Sequence, residues 1–330
     1  HTDYAEPADR GPMYSHSTGV GCEACHGPSM GYLSTHPRGR PHADNVAAGL
    51  VELDDPVVRA RVCVGCHLGD ADRFVSHRLM GAGHPRMKFE LDTYGVVMPA
   101  HHVVDDDYVG RGKRVMSAAN LWAVGQAIAV ERQMDLLLTR LGSGAFPELT
   151  FYDCHACHHP METPRWRARP STGLGPGEAR LQDANLLVLG VIADRIDPAL
   201  ARTLRDDTRR LHDAMAHDRA AVGAPAGRLR DSATILAARL SAATLDIETV
   251  VAMNQGLVQQ AQAGEILDYA AAEQVTMGLA ALAATLEDAG HVPPEQAPLI
   301  ERALEGCYAA VEDPAQWDPD LFRARVAALP

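Results

Sequence analysis

The chain has 330 residues and a mass of 35.4 kDa, enough for two domains with substantial cores. Hydrophobic residues at 46% and charged residues at 22% place it among globular proteins and exclude collagen-like and low-complexity classes. With 43 acidic residues against 30 basic ones, and Lys88 and Lys113 as the only lysines, the net charge of −13 excludes a basic nucleic-acid footprint. The longest apolar runs, 123–130 and 184–193, are interrupted by Gly, Gln or Asn and fall well short of the roughly 20 residues needed to cross a bilayer.

Six of the seven cysteines fall into three copies of one pattern: Cys22-Glu-Ala-Cys25-His26, Cys63-Val-Gly-Cys66-His67 and Cys154-His-Ala-Cys157-His158. Each is CxxCH, the attachment signature of c-type haem. The spacing lets both thiols add to the vinyl groups of one porphyrin while the next imidazole lies beneath the iron. Three covalent haems are therefore expected, with His26, His67 and His158 as proximal ligands. Zinc would need four convergent nitrogen or sulfur ligands per site, which three identical triplets supply poorly. A thioredoxin-like motif would need a βαβ setting, and strand signals are weak throughout.

Along the chain, residues 1–175 hold all the motif cysteines and 13 of the 16 histidines. This half is rich in turns, as expected when cofactors rather than side chains fill the interior. Its one long periodic stretch, 117–141, predicts a helix N-capped by Ser117, with Leu121, Val124, Ile128, Leu136, Leu137 and Leu141 on a broad apolar face and Gly142 as the stop. Residues 165–177, rich in Gly and Pro, read as a connection between domains of 1–175 and 176–330. The second half reads as nearly continuous helix: 178–195, 198–217, 228–243, 245–263, 266–288, 295–311 and 318–328. Prolines in the 293–294 pair and beside Asp197 and Asp318 suit first turns. The expected fold is thus mainly α: a haem-packed, loop-rich multihaem cytochrome c domain followed by an all-α bundle. The bundle is also the more acidic half, with 13 basic and 23 acidic residues against 17 and 20, and reads as a scaffold or docking domain.

Iron held by one imidazole takes a sixth ligand that sets potential and reactivity. Candidates are His84, which Gly83 and Pro85 hold in a rigid turn; His16 and His36, which flank the first motif and could reach a neighbouring haem; and His77 and His101. His155 and His159 adjoin the third motif and are expected to face solvent or a propionate, while His1, His42 and His102 read as surface residues. Met13, Met80, Met87, Met98 and Met116 read as packing residues. Cys307, on an apolar helical stretch, reads as a buried thiol, and Asp105-Asp106-Asp107 as solvated carboxylates.

The first half resembles the multihaem cytochrome c family that includes the nitrifier tetrahaem cytochrome. The resemblance spans about residues 15–170. It is carried by Gly19-Val-Gly-Cys-Glu-Ala-Cys-His-Gly-Pro28 with His36, by Cys63-Val-Gly-Cys-His-Leu-Gly-Asp-Ala-Asp72 through His77 to Ala82-Gly-His-Pro-Arg-Met-Lys-Phe-Glu90, and by Pro99-Ala-His101. Trp122-Ala-Val-Gly-Gln126 and Tyr152-Asp-Cys-His-Ala-Cys-His-His159 with Trp166-Arg167 complete it. It implies functional roles for His36, His77, His84 and His101. Longer relatives carry further haem motifs ahead of the first segment, and where they have Trp after the Pro-x-His histidine this chain has His102.

The expected function is single-electron transfer between redox partners, with partner contact through a basic face attracted by the negative charge. Alternatives are an enzyme with one open iron acting on a small nitrogen or oxygen compound, and a haem-carrying structural subunit of a larger complex or filament. Thioether formation takes place outside the cytoplasm, so a periplasmic or otherwise extracytoplasmic protein, with a signal peptide removed, is expected.

Overall fold

The structure is a computed structural model. It describes residues 10–12, 14, 15, 17, 19–35, 39–100, 103–143, 146–158 and 167–330. The chain is mainly helical, with fourteen α-helices among these residues and a single isolated β-bridge, Tyr152 to Leu181. None of these helices is long and apolar enough to cross a membrane.

In the first half the helices are short: α1 (Glu23–His26), α2 (His42–Ala47), α3 (Pro56–His67), α4 (His77–Gly81), α5 (Leu91–Val97) and α6 (Asp106–Gly110). The long α7 (Ala118–Gly142) follows, and Ser117 accepts from the Asn120 N–H as its cap. The second half comprises α8 (Ala184–Ile196), α9 (Pro198–His217), α10 (Gly223–Ala242), α11 (Ile247–Gln262), α12 (Tyr269–Asp288), α13 (Ala297–Ala310) and α14 (Pro319–Val326). Carboxylates cap many of these helices: Asp55 starts α3, Glu90 α5, Asp105 α6, Asp197 α9, Asp246 α11, Asp268 α12 and Asp318 α14. Part of the chain's acidity is therefore spent satisfying first-turn N–H groups and complementing helix dipoles. Asp105, read from sequence as merely solvated, belongs to this group.

α7 is the centre of the molecule. It is buried on every side from Trp122 to Val130 and packs against α3 and α5 of the first half and α8, α10 and α12 of the second. Helices approach closely where glycine faces a bulky residue. A Cβ on Gly278 of α12 would lie 2.8 Å from the Trp122 indole, and one on Gly125 of α7 would lie 2.7 Å from the Leu91 Cβ. A chain of buried amides runs across the same layer. Gln133 donates to Asn185, Asn185 to Gln126, and Gln126 to Gln274, at 2.7 to 2.8 Å.

One hydrophobic core extends from Ala60 and Val64 through α7 to Phe322 and Val326, so it crosses the boundary expected near residue 175. The helix expected over 178–195 begins only at Ala184. Its first residues are diverted into pairing with the third motif, where Asp153 N–H donates to the Arg180 carbonyl and Gln182 N–H to the Phe151 carbonyl, each at 2.9 Å. The prolines at 293–294 precede α13, and Pro298 is the one in its first turn. Cys307 is fully buried in this core, and burial pushes its thiol up to about 11.

Candidate functional site

The first motif is a single helical turn. Cys22 caps α1, and His26 N–H donates back to the Cys22 carbonyl at 2.9 Å. The His26 carbonyl is itself held by Val51 N–H at 3.0 Å and the Tyr32 hydroxyl at 2.9 Å. Gly27, at φ +79°, lies against the Gly49 carbonyl where a side chain would not fit. Glu23 accepts from both the hydroxyl and the N–H of Ser29, which lowers its pKa.

The second motif closes α3, whose buried face is Ala60, Val64 and Gly65. Burial, with Cys25 of the first motif nearby, pushes the Cys63 thiol up to about 11. The His67 ring packs against Phe89 (centroids 4.8 Å) and Tyr94 (5.4 Å), and desolvation lowers its pKa, favouring the neutral imidazole.

The third motif is a 3-10 turn over Cys154–Ala156. Asp153 caps it by accepting from His155 N–H, and His158 N–H donates to the Cys154 carbonyl at 2.7 Å. Burial, then the Asp268 carboxylate, push the Asp153 carboxyl up to about 6 against the opposing pull of Arg180. His155, expected to face solvent or a propionate, instead donates from Nε2 to the Pro314 carbonyl at 3.0 Å and packs on Tyr269. The C-terminal helices reach back to this loop, which sequence spacing does not reveal.

Of the distal candidates, His16, His36 and His101 lie outside the described residues, as do His1, His102 and His159. His77 opens α4, and its N–H donates to Glu148 Oε1 at 2.9 Å. Thr150 Oγ1 donates to the Val75 carbonyl at 3.2 Å, stitching the 75–77 segment to the approach of the third motif. The His77 and His158 rings consequently stand 5.9 Å apart, with planes inclined by 32°. Two metal–nitrogen bonds of about 2 Å each, added to the ring radii, hold opposed imidazoles roughly 6 Å apart. The separation alone is of the size that two ligands of one metal would have. The pair is the only histidine–histidine ring contact among the described residues.

His84 follows Gly83, whose φ of +104° suits glycine. Its Nδ1–H donates to the Pro85 carbonyl at 2.7 Å. His42 pairs with Glu52 at 3.2 Å, with Asp54 close by, in an exposed cluster.

The donor set fits covalent haem chemically. The six motif cysteines are exposed or half-buried, and none is engaged in a disulfide. Beside the first motif, Met30 is 92% exposed and Leu33 65%.

Two constellations escaped the sequence reading because their members are far apart in the chain. Arg169, fully buried, pairs with Asp183 and Asp268, and His212 lies 3.4 Å from Asp183. Burial opposes ionisation of Asp183, but Arg169 and His212 together bring its pKa below the ordinary carboxylate value. Arg86 and Lys88 both meet Glu273 of α12. Comparison with family models, curated proteins and solved structures finds no match to this chain.

Proposed function

We propose that this chain is a trihaem c-type cytochrome that passes single electrons between redox partners outside the cytoplasm. The observation that carries the reading is the close approach of the His77 and His158 rings, with His158 closing a CxxCH motif and His77 supplied from another part of the chain. Cys22 with Cys25, Cys63 with Cys66, and Cys154 with Cys157 would fasten the three groups, and His26, His67 and His158 would ligate them. When bound, the haems supply reversible one-electron storage at iron.

The protein's own contribution is positioning. Glu148 and Thr150 hold the His77 segment near His158, the Phe89 and Tyr94 rings hold His67, and Val51 and Tyr32 hold the end of the first motif. Were His77 and His158 both to hold one iron, the two imidazoles would favour a low-potential carrier over an open site for substrate. Residues 1–175 form the haem-packed part of this reading, and the bundle of 176–330 its scaffold. The acidic surface suits a partner with a basic face.

Intact mass and haem staining of the exported protein test the proposal. The expected result is the polypeptide plus three haems, low-spin when oxidised and without a carbon monoxide shift when reduced. A mass equal to the bare chain would overturn it. Carbon monoxide binding by the native protein would replace the carrier with an enzyme that has an open iron.

A further inference from the structure

Helix α12 grips the segment that carries His84. Glu273, only 8% exposed, accepts from Lys88 Nζ at 2.9 Å and is paired with Arg86. The Gln274 side chain donates to the Phe89 carbonyl at 3.2 Å. One turn earlier, the Tyr269 ring lies 4.9 Å from the Arg86 guanidinium. Arg86 and Lys88 stand two and four residues beyond His84, and Phe89 packs on His67. One face of a bundle helix therefore holds the backbone between a candidate sixth ligand and the aromatic ring packed on a proximal one.

The charges on this face are informative. A carboxylate as buried as Glu273 persists as an ion only when paired, and here it draws two cations of one extended segment onto a single point. Residues 85–90 have no helical hydrogen bonds of their own, so these side chains and the Gln274 amide set their course. Gln274 in turn ends the amide chain that runs through Gln126 and Asn185, which ties the grip to the rigid centre of α7 and α8.

We propose that Glu273 is a positioning residue for His84: by fixing Arg86 and Lys88 it sets where the His84 imidazole stands as sixth ligand to one haem iron. This rests on the trihaem reading above. It also gives the second half a role beyond scaffolding, because a residue remote in sequence then governs the coordination of one redox centre.

The test uses the full haem-loaded chain with Glu273→Ala, Glu273→Gln, Glu273→Asp and His84→Ala. Electron paramagnetic resonance, carbon monoxide binding, the midpoint potentials and hydrogen exchange of residues 84–90 are read together. The expected result is that His84→Ala makes one of three irons high-spin and reactive with carbon monoxide. Glu273→Ala and Glu273→Gln should move that same iron part of the way, shift its potential alone, and speed exchange over 84–90. Glu273→Asp or added imidazole should restore the low-spin signal. If Glu273→Gln lowers the melting temperature but leaves all three irons low-spin with unchanged potentials, Glu273 is only a clamp between the two halves and the proposal fails. If His84→Ala leaves the spectra unchanged, the proposal fails at His84 while the trihaem reading stands. A native chain without covalent haem would remove both.

Discussion

The imidazoles of His77 and His158 stand 5.9 Å apart, brought together from either side of the long central helix. Neither ring is placed by its own element alone. His77 is located by Glu148 and Thr150, residues of the segment that leads into the third motif, so the two partners share one local framework. Their positions are thus fixed by contacts within the protein itself.

Replacing His77 by alanine should leave the fold intact, because its structural hydrogen bond is made by the backbone N–H. One haem should become high-spin and bind carbon monoxide when reduced, and added imidazole should reverse the change. Three unaltered low-spin signals would remove His77 from the ligand set.

Thiol counting separates the cofactor reading from its absence. On the trihaem reading, one cysteine per chain, Cys307, should react with a thiol reagent in denaturant, because thioethers would engage the other six. In the native protein none should react, since Cys307 is fully buried and its thiol is shifted up to about 11. Seven reactive thiols in denaturant would contradict haem attachment.

The buried Arg169 cluster should dominate the stability of the junction between the third motif and the bundle. Arg169→Met leaves Asp183 and Asp268 buried without their cation and should cost about 3–5 kcal/mol, read by urea unfolding. A loss below about 1 kcal/mol would mean that water or Arg180 replaces it.

The same cluster predicts acid sensitivity. Burial depresses the pKa of His212 below its ordinary 6.5, with Asp183 pulling the other way, so its contribution is complete above that value and is lost as pH falls through the folded pKa. Asp183, also lowered, from 3.8, adds a second loss at more acid pH. His212→Gln should flatten the first decline in a series of unfolding curves and leave the second.

Close helix packing at Trp122 should make Gly278→Ala destabilising by about 1–3 kcal/mol, because the new methyl meets the indole at 2.8 Å. Gly190 in α8 has nothing within 4 Å of a new Cβ, so Gly190→Ala should be neutral or stabilising by up to about 1 kcal/mol. Paired thermal melts compare the two.

A net charge of −13 should steer cationic partners, so reduction by a cationic donor should slow as ionic strength rises. Salt-independent rates would place the contact on a neutral patch.

Much of this molecule was legible in the linear chain because the signals are local. CxxCH needs only five consecutive residues, and Ser117, Asp197 and Asp318 announce helix starts within three positions of themselves. Helical periodicity likewise located α7 and most of the bundle. What escaped is what depends on contacts between distant segments. The 178–183 residues carry helical composition but pair with the third motif, and Asp105 reads as solvated yet caps a helix. The Arg169 cluster and the grip of Glu273 on Arg86 and Lys88 join residues that share no spacing rule. The approach of the His77 ring to His158 likewise required the folded chain. A single segment determines which groups are available for chemistry, whereas packing around α7 decides which of them meet, because burial and charge pairing act through space and take no account of sequence separation.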